Sequence, residues 1–286
     1  MPVVINSNVT SINASRILAS NRAGLEKAME RLASGKRINS SSDDAAGMAV
    51  AAKLRSTTKS LDQAVRNTND AISMLNTYDG AASEIESMLV RMRELSVQMS
   101  NDSYVDADRD LAQEEFSALQ DEIDRISSTA SFNGAQIGNA KGGPNTDGKF
   151  NFLIGALTDG SGSGSDDYAE FSLNSLTTTD LKVASGDAKI STAADAVKAI
   201  DTIDGGLASL ATARAVVGAS VNRLSHTVSN LMNVSQRQKE ALSGVEDADY
   251  AAESAALARG MVLAQAGSAM LAQANQQPQY VLTLLR

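Results

Sequence analysis

The chain contains no cysteine and only one histidine, His226, among its 286 residues. The absence of cysteine excludes disulfides and thiolate chemistry, and it leaves the redox compartment unreadable from cysteine usage. With one imidazole and no thiol, a zinc site or a serine triad has too few parts. We therefore predict no catalytic residue, no metal site and no cofactor, and we predict that the protein is not an enzyme.

Aromatic residues are also scarce, at 3% of the chain, and tryptophan is absent. Ligand pockets and flat recognition surfaces usually draw on aromatic side chains, so their scarcity favours thin contacts between helices. The formal net charge is −9 and the chain has no Lys/Arg cluster. This charge pattern argues against nucleic acid and against an anionic membrane surface as partners.

Long apolar runs are missing as well, since no stretch of 18 consecutive apolar residues occurs. The first residues, MPVVINSNVTSINASRIL, lack a basic start followed by an apolar run of signal-peptide length. We therefore expect neither a membrane span nor use of the general secretory route.

What the chain does have is a long helical pattern between Ile200 and Val245. Apolar residues recur there in an alternating three-then-four spacing, which predicts a coiled-coil seam of roughly 70 Å at 1.5 Å per residue. Only Arg214, Ser235 and Gln238 interrupt it. The apolar positions are Ile200, Ile203, Leu207, Leu210, Val217, Val221, Leu224, Val228, Leu231, Leu242 and Val245.

Both ends of the chain carry shorter amphipathic helices, each separated from a longer helix by a polar joint, Ser34 to Asp44 or Gly244 to Asp249. The free energy that the loss of conformational entropy costs in each terminal helix is comparable to the free energy that burial of its apolar stripe contributes. We therefore predict that these helices are mobile in the free monomer and order only among copies of the chain. The predicted subunit-interface residues are Ile5, Val9, Ile12, Leu18, Leu25, Met29, Leu32, Leu257, Met261, Ala264 and Leu271.

The centre of the chain is poor in helical pattern. Asn133-Gly134 predicts a reversal, and the alternating runs Phe150 to Leu157 and Tyr168 to Leu173 predict a hairpin within a Gly/Ser-rich segment. The predicted fold is mainly α, a long antiparallel coiled-coil rod with a small central region that contains the hairpin. The predicted divisions are residues 1–45, 46–140, 141–190, 191–244 and 245–286.

Several long motifs in both arms resemble bacterial flagellin, the subunit of the flagellar filament. In the N-terminal arm they are RLASGKRINSSSDDAAGMAVAAKLRS, RNTNDAISMLNTYDGA, RMRELSVQMSN and EIDRISSTASFNG. In the C-terminal arm they are GASVNRLSHTVSNL, VEDADYAAESAALARG and AGSAMLAQANQQPQYVLTLLR. Together they cover much of both arms in the family's order.

The resemblance implies an extracellular protein that polymerises with itself into a helical filament for swimming motility. It implies that residues 1–45 and 245–286 form the inner core, 46–140 and 191–244 the outer core, and 141–190 a short variable region. It also implies export of the unfolded chain by the flagellar type III route. The implied partners are other copies of the chain, an export chaperone on the C-terminal helix, the filament cap and the hook-junction proteins.

The resemblance also places Arg91, Leu95 and Glu115 at the positions with which some flagellins contact a vertebrate innate immune receptor. The more general interpretation is that Arg91 and Glu115 make polar subunit contacts and that Leu95 packs. Two other functions stay open: a junction protein between hook and filament, and a flagellin-like enzyme with a protease insertion. The ending MLAQANQQPQYVLTLLR favours the filament subunit over the junction protein, and the lack of a histidine pair disfavours the enzyme.

Two local patterns suggest ligand sites but lack essential parts. A calcium loop starting at Asp106 would need glycine at Leu111 and a glutamate at Ser117, so we interpret the nearby acids as helix-entry residues. The run Gly160 to Asp167 is glycine-rich but has no lysine and no following helix, so it predicts a solvated turn.

Overall fold

A computed structural model of the chain describes residues 7–140, 148–155 and 167–284. These residues form five helices and four short strands. The helices are α1 Val9–Ser34, α2 Ala45–Met99, α3 Asp106–Thr129, α4 Ala193–Glu246 and α5 Tyr250–Leu284. The strands are β1 Ser131–Phe132, β2 Ala135–Gln136, β3 Lys149–Leu153 and β4 Tyr168–Ser172. The prediction of a mainly α protein with a small hairpin-containing centre is confirmed.

The chain divides into two compact units. One, which we call the terminal unit, comprises residues 1–56 and 237–286, and the other, the central unit, comprises residues 57–236. The 55-residue α2 and the 54-residue α4 contribute to both.

The central unit is built on antiparallel pairing of α2 with α4. Residues on α4 at seven-residue intervals are buried, as a coiled-coil seam requires: Ile203, Leu210, Val217, Leu224 and Leu231. The ion pair of Arg93 with Asp204 and the hydrogen bond from Ser235 to Asp62 fix the pairing near its two ends, at 2.6 Å and 2.7 Å. The polar interruption at Ser235 is thus satisfied across the seam.

A buried arginine organises the turn from α2 into α3. Arg109 is 6% exposed, and its Nε and Nη2 donate to the carbonyls of Met99 and Asn101, both at 3.1 Å. Its Nη1 also contacts Asp106 Oδ1 at 2.9 Å. A cation is favourable at this place because the carbonyls at the C-terminus of a helix lack partners within the helix.

The Asn133-Gly134 reversal is present as the loop of the β1–β2 hairpin. Asn133 and Gly134 have φ values of 49° and 81°, as a two-residue hairpin turn with both central residues in the left-handed region requires. The second hairpin pairs β3 with β4 antiparallel, with Phe150 opposite Phe171. The predicted strand from Phe150 extended to Leu157, but β3 ends at Leu153, and residues 156 and 157 lie outside the described residues.

The segment between β4 and α4 has little regular structure and is held against α3 by hydrogen bonds to side chains of α3. Gln113 Oε1 accepts from the Ile190 amide at 2.7 Å, and Gln120 Nε2 donates to the Val183 carbonyl at 2.7 Å. Asp124 accepts from both the amide and the hydroxyl of Thr178. These side chains satisfy backbone groups that have no ladder partner.

The terminal unit consists of the α1–α5 hairpin, the joints and the adjoining ends of α2 and α4. Helix α1 ends at Ser34 and is capped by Gly35, whose φ of 72° and hydrogen bond to the Arg31 carbonyl are typical of a left-handed cap. The second joint is shorter than the predicted Gly244 to Asp249, because α4 continues to Glu246 and α5 begins at Tyr250.

Candidate assembly surface

The α1–α5 hairpin closes around two glycines of α5. A Cβ atom at Gly260 would lie 2.9 Å from Leu25 Cδ1, and one at Gly267 would lie 3.2 Å from Leu18 Cδ1. The two leucines of α1 therefore fill the space that side chains at these glycines would occupy. Small residues at such positions allow two helices to approach closely.

Polar contacts at both ends of the hairpin fix its antiparallel register. Near the start of α1, Asn8 Nδ2 donates to the Ala274 carbonyl at 2.7 Å, while its Oδ1 caps the helix by accepting from the Ser11 amide. At the other end Arg31 contacts Glu253 at 2.8 Å, and the Tyr250 hydroxyl donates to the Leu32 carbonyl at 2.7 Å.

Helix α5 is apolar on all sides although its hairpin partner covers only one. The consecutive residues Met261, Val262 and Leu263 are 54%, 69% and 44% exposed. Consecutive residues on an α-helix point about 100° apart, so these three side chains cover most of its circumference. A helix that is hydrophobic all round is normally buried, whereas among the described side chains of α5 only Ala274 is buried. The outer faces of α5 therefore lack an apolar partner within the described chain.

Helix α1 shows the same excess of exposed apolar side chains. Large aliphatic and methionine side chains on α5 and α1 with at least two-fifths of their surface exposed form what we call the assembly surface. Its members are Val9, Ile12, Ile17, Met29, Met261, Val262, Leu263 and Met270. Exposed apolar side chains grouped on one pair of helices favour an interaction site.

The predicted interface residues fall into two groups. One group lies in the hairpin seam, buried or half-buried: Leu18, Leu25, Leu32, Leu257, Ala264 and Leu271. The other is exposed: Val9, Ile12, Met29 and Met261. Ile5 lies outside the described residues.

Sequence reasoning missed four members of the assembly surface: Ile17, Val262, Leu263 and Met270. A single stripe at three-then-four spacing cannot include them, because they lie off the stripe that pairs α1 with α5. The signal that could have found the three members on α5 is the near absence of charge along this helix, where Arg259 is the last charged residue before Arg286.

The segment Tyr250–Gln276 is also long and apolar enough to cross a membrane by length and composition, with a mean hydropathy of 1.2 and none of the window buried. One such helix is weak evidence for a membrane span. Tyr250 donates a hydrogen bond to α1, and two glycines of this segment fit against Leu18 and Leu25 of α1. Both observations favour a protein partner over a membrane.

The two joints of the terminal unit pair with each other. The Arg37 amide donates to the Glu246 carbonyl at 2.7 Å, and Lys36 pairs with Asp247 as an isolated antiparallel bridge. The Glu246 carboxylate is 5% exposed and contacts both Lys36 Nζ and Arg55 Nε, at 2.5 Å and 3.2 Å. Two cations thus neutralise a buried carboxylate next to the paired joints.

A second ion pair ties α1 to its own joint. Lys27 Nζ lies 2.7 Å from Asp43 Oδ1, and the amides of Asn39 and Ser40 donate to Asp43 Oδ2. The hydrogen bond from Lys27, followed by those from the two amides, holds the pKa of Asp43 well below its usual range. The joint is therefore a folded structure, with its charges satisfied, rather than a plain linker.

The residues suggested for receptor contact lie in the central unit. Arg91 Nε and Nη2 contact Glu115 Oε1 at 2.9 Å and 2.8 Å, and both side chains are about half exposed. Leu95 is only 3% exposed and belongs to the apolar core. Receptor contact by these residues stays a prediction.

A groove of the central unit lies between α2 and α4. Arg214 lines this groove and contacts both Asp79 and Glu86. The hydrogen bond that Arg214 donates to Asp79 is the largest cause that raises the pKa of Arg214, and Glu86 adds to it. Across residues 7–140, 148–155 and 167–284, no group of three or more His, Asp or Glu side chains is placed to hold a metal ion.

Paired helices that expose apolar side chains on their outer faces define a class of protein: the self-assembling helical subunit. Models of two protein regions match the chain over most of its length. These are the bacterial flagellin N-terminal helical region, over residues 5–140, and the bacterial flagellin C-terminal helical region, over residues 200–285.

Curated relatives agree over nearly the full chain. A flagellin of Halalkalibacterium halodurans is 40% identical over 99% of this chain and 100% of its own. A flagellar filament 31.3 kDa core protein of Treponema maltophilum is 38% identical, again over 99% and 100%. A crystal structure of Bacillus cereus flagellin matches at 30% identity with a TM-score of 0.48, covering 58% of this chain and 88% of that one.

The chain belongs to the bacterial flagellin family. It is a structural subunit of the extracellular flagellar filament, it polymerises with copies of itself, and it is not an enzyme.

Proposed function

We propose that the assembly surface of α1 and α5 is the main contact between subunits in the filament. The observation that carries this proposal is the run Met261, Val262 and Leu263, which exposes apolar side chains around most of a helix. Only neighbours on several sides can cover such a helix, and copies of the same chain in a helical array supply neighbours on several sides.

Contacts of this kind are heterologous, since one face of a subunit meets a different face of the next. A heterologous contact whose rotation does not close a ring generates an open helix that grows without a fixed number of subunits. Residues 1–45 and 245–286 would form the inner core of this array, residues 46–140 and 191–244 the outer core, and residues 141–190 a short variable region.

The α1–α5 hairpin would be only marginally ordered before assembly. Among the described side chains of the two helices, only Leu18, Ala28 and Ala274 are buried, so little apolar burial offsets the entropy of ordering. Ordering on contact with other subunits is coupled folding and binding. A weakly ordered hairpin also suits export as an unfolded chain by the flagellar type III route.

The same surface needs a cover before export, because exposed apolar helices associate prematurely. An export chaperone bound to α5 would provide that cover, and the filament cap and hook-junction proteins would meet the same helices at the two ends of the filament. These partners rest on the family resemblance together with the exposure of α5.

The test is a matched pair of variants at one exposed position, Val262→Asp and Val262→Leu. Aspartate places a charge in the proposed contact, and burial of an unpaired charge is strongly unfavourable, so seeded filament growth should fail. Leucine keeps the position apolar, so filaments should form. Electron microscopy after seeding measures filament growth of both variants, and circular dichroism checks that the two free subunits have the same helix content.

Filaments of Val262→Asp that grow as readily as those of Val262→Leu would overturn the proposed contact.

A further inference from the structure

Methionine is the only sulfur-containing residue in this chain, which has ten methionines and no cysteine. The described methionines differ sharply in exposure. Met74, Met92 and Met99 in α2 are at most 3% exposed. Met29, Met261 and Met270 in the terminal unit are 44%, 54% and 65% exposed, and all three belong to the assembly surface.

We propose that Met29, Met261 and Met270 are oxidation sites through which peroxide controls whether a free subunit can join the filament. The proposal rests on the proposed function, because it places these three thioethers in the contact between subunits. It adds a modification that acts on the subunit before assembly and that the filament itself prevents.

The chemistry needs no catalytic residue. A sulfur lone pair of the thioether attacks one oxygen of a peroxide, the O–O bond breaks, and the other oxygen leaves as water or an alcohol. The sulfur is oxidised by two electrons to a sulfoxide and the peroxide is reduced. The reverse step takes two electrons from a dithiol reductant, which becomes a disulfide as the sulfoxide oxygen leaves as water.

The consequence for assembly follows from polarity. A sulfoxide converts a flexible apolar side chain into a polar, chiral one, and such a group disrupts methionine-containing interfaces. Burial of a polar group without a hydrogen-bond partner is unfavourable, so we expect the critical concentration for filament growth to rise at least about tenfold.

Oxidation footprinting tests which methionines react and when. Free subunits and finished filaments are exposed to hydrogen peroxide, and mass spectrometry of peptides gives the sulfoxide fraction at each methionine. We expect Met29, Met261 and Met270 to be oxidised in the subunit and protected in the filament. We expect Met74, Met92 and Met99 to be protected in both.

An assembly experiment tests the consequence. Subunits are treated with peroxide, the peroxide is removed, and seeded growth is compared with that of the same protein untreated. The triple variant Met29→Leu, Met261→Leu, Met270→Leu has no thioether at the three sites, so peroxide should not change its growth relative to its own untreated sample. The control Met232→Leu removes a thioether that is 58% exposed on α4 of the central unit, and it should stay sensitive.

Reduction of the sulfoxides back to thioethers distinguishes loss of growth caused by methionine oxidation from loss caused by general damage to the protein. Treatment of oxidised subunits with methionine sulfoxide reductases for both sulfoxide epimers and a dithiol should restore growth. Failure of growth to recover while mass spectrometry shows the thioethers restored would contradict the proposal.

The outcomes distinguish this proposal from the one on which it rests. Equal oxidation of Met261 and Met270 in subunit and filament would show that the assembly surface is not covered, which overturns the proposed function. Protection in the filament combined with normal growth of fully oxidised subunits would overturn the oxidation control alone.

Discussion

The central and terminal units place their apolar side chains in opposite ways. In the central unit, α2 buries Ile85, Leu89 and Met92 completely against neighbouring elements. In the terminal unit, α5 leaves Met261 and Val262 more than half exposed. The central unit therefore buries an apolar core of its own, whereas the terminal unit buries few apolar side chains and leaves most of those on α5 to contact other molecules. One chain thus combines a self-sufficient core with an incomplete one, as a polymer subunit requires.

The two units also differ in net charge, and this difference again favours the terminal unit as the place of contact. Residues 57–236 carry 13 Lys/Arg against 25 Asp/Glu, while residues 1–56 and 237–286 together carry 12 against 9. An excess of one sign keeps molecules apart, so copies of the central unit repel at low ionic strength. The nearly balanced terminal unit has no such barrier, which makes it the better place for close contact.

Removal of most of α5 should have the strongest effect of all the changes. Deletion of residues 257–286 should abolish filaments, because it removes Met261, Val262 and Leu263 together with the glycines that seat α1. The central unit should keep its helices, since its core lies within residues 57–236. Electron microscopy and circular dichroism measure the two outcomes, and filaments that persist after the deletion would refute the comparison.

Two truncations to alanine, one in the core and one on the assembly surface, should rank in opposite order in an unfolding assay and in a filament-growth assay. Leu89→Ala removes a fully buried side chain and should lower the free energy of unfolding of the subunit by about 2–5 kcal/mol. Met261→Ala removes an exposed one and should lower it by less than about 0.5 kcal/mol. Urea unfolding of the dilute subunit measures both.

In filament growth the ranking should invert. Met261→Ala should raise the critical concentration more than Leu89→Ala does, provided that both subunits are folded at the assay temperature. An equal or smaller effect of Met261→Ala on growth would mean that the exposed side chains of α5 serve no assembly role.

The weakest of the expected effects concerns the joint between α1 and α2, which contains Asp43. Because the pKa of Asp43 is lowered in the folded chain, its contacts stabilise the joint at neutral pH and fade as the pH falls below about 4, where the unfolded chain takes up the proton first. Asp43→Asn should therefore destabilise the terminal unit at pH 7, and the difference from the unaltered chain should shrink at pH 3. Thermal unfolding followed at the two pH values checks this.

Asp110→Asn serves as the control for the joint, since it removes an exposed acid of α3 in the central unit. It should change unfolding little at either pH. A constant deficit of Asp43→Asn from pH 7 to pH 3 would show that the ion pair with Lys27 is not the source of the effect.

Periodicity predicted the helices well because burial in a long pair of helices repeats every seven residues. The buried residues Ile203, Leu210 and Val217 of α4 follow that rule, and the Asn133-Gly134 turn follows from backbone sterics alone. Contacts that join distant parts of the chain carry no such local signal. The bonds of Gln120 to the Val183 and Ala188 carbonyls are of this kind.

The assembly surface was predicted only in part for a similar physical reason. A stripe calculation assumes that each helix has one apolar face, which holds for Leu18 and Leu25 in the hairpin seam. It fails for Ile17 and Val262, because a helix that is covered on several sides in a polymer has apolar residues off the stripe. The exposure of each side chain reveals that second set, and for α5 the near absence of charge is the matching signal in the sequence.

Amide hydrogen exchange in dilute subunits and in filaments measures whether the terminal helices order only on assembly. We expect the amides of Leu18, Leu25, Leu263 and Leu271 to exchange quickly in the free subunit and to become strongly protected in the filament, while those of Leu89 and Leu210 stay protected in both. Strong protection of the terminal amides in the dilute subunit, unchanged by polymerisation, would contradict this expectation.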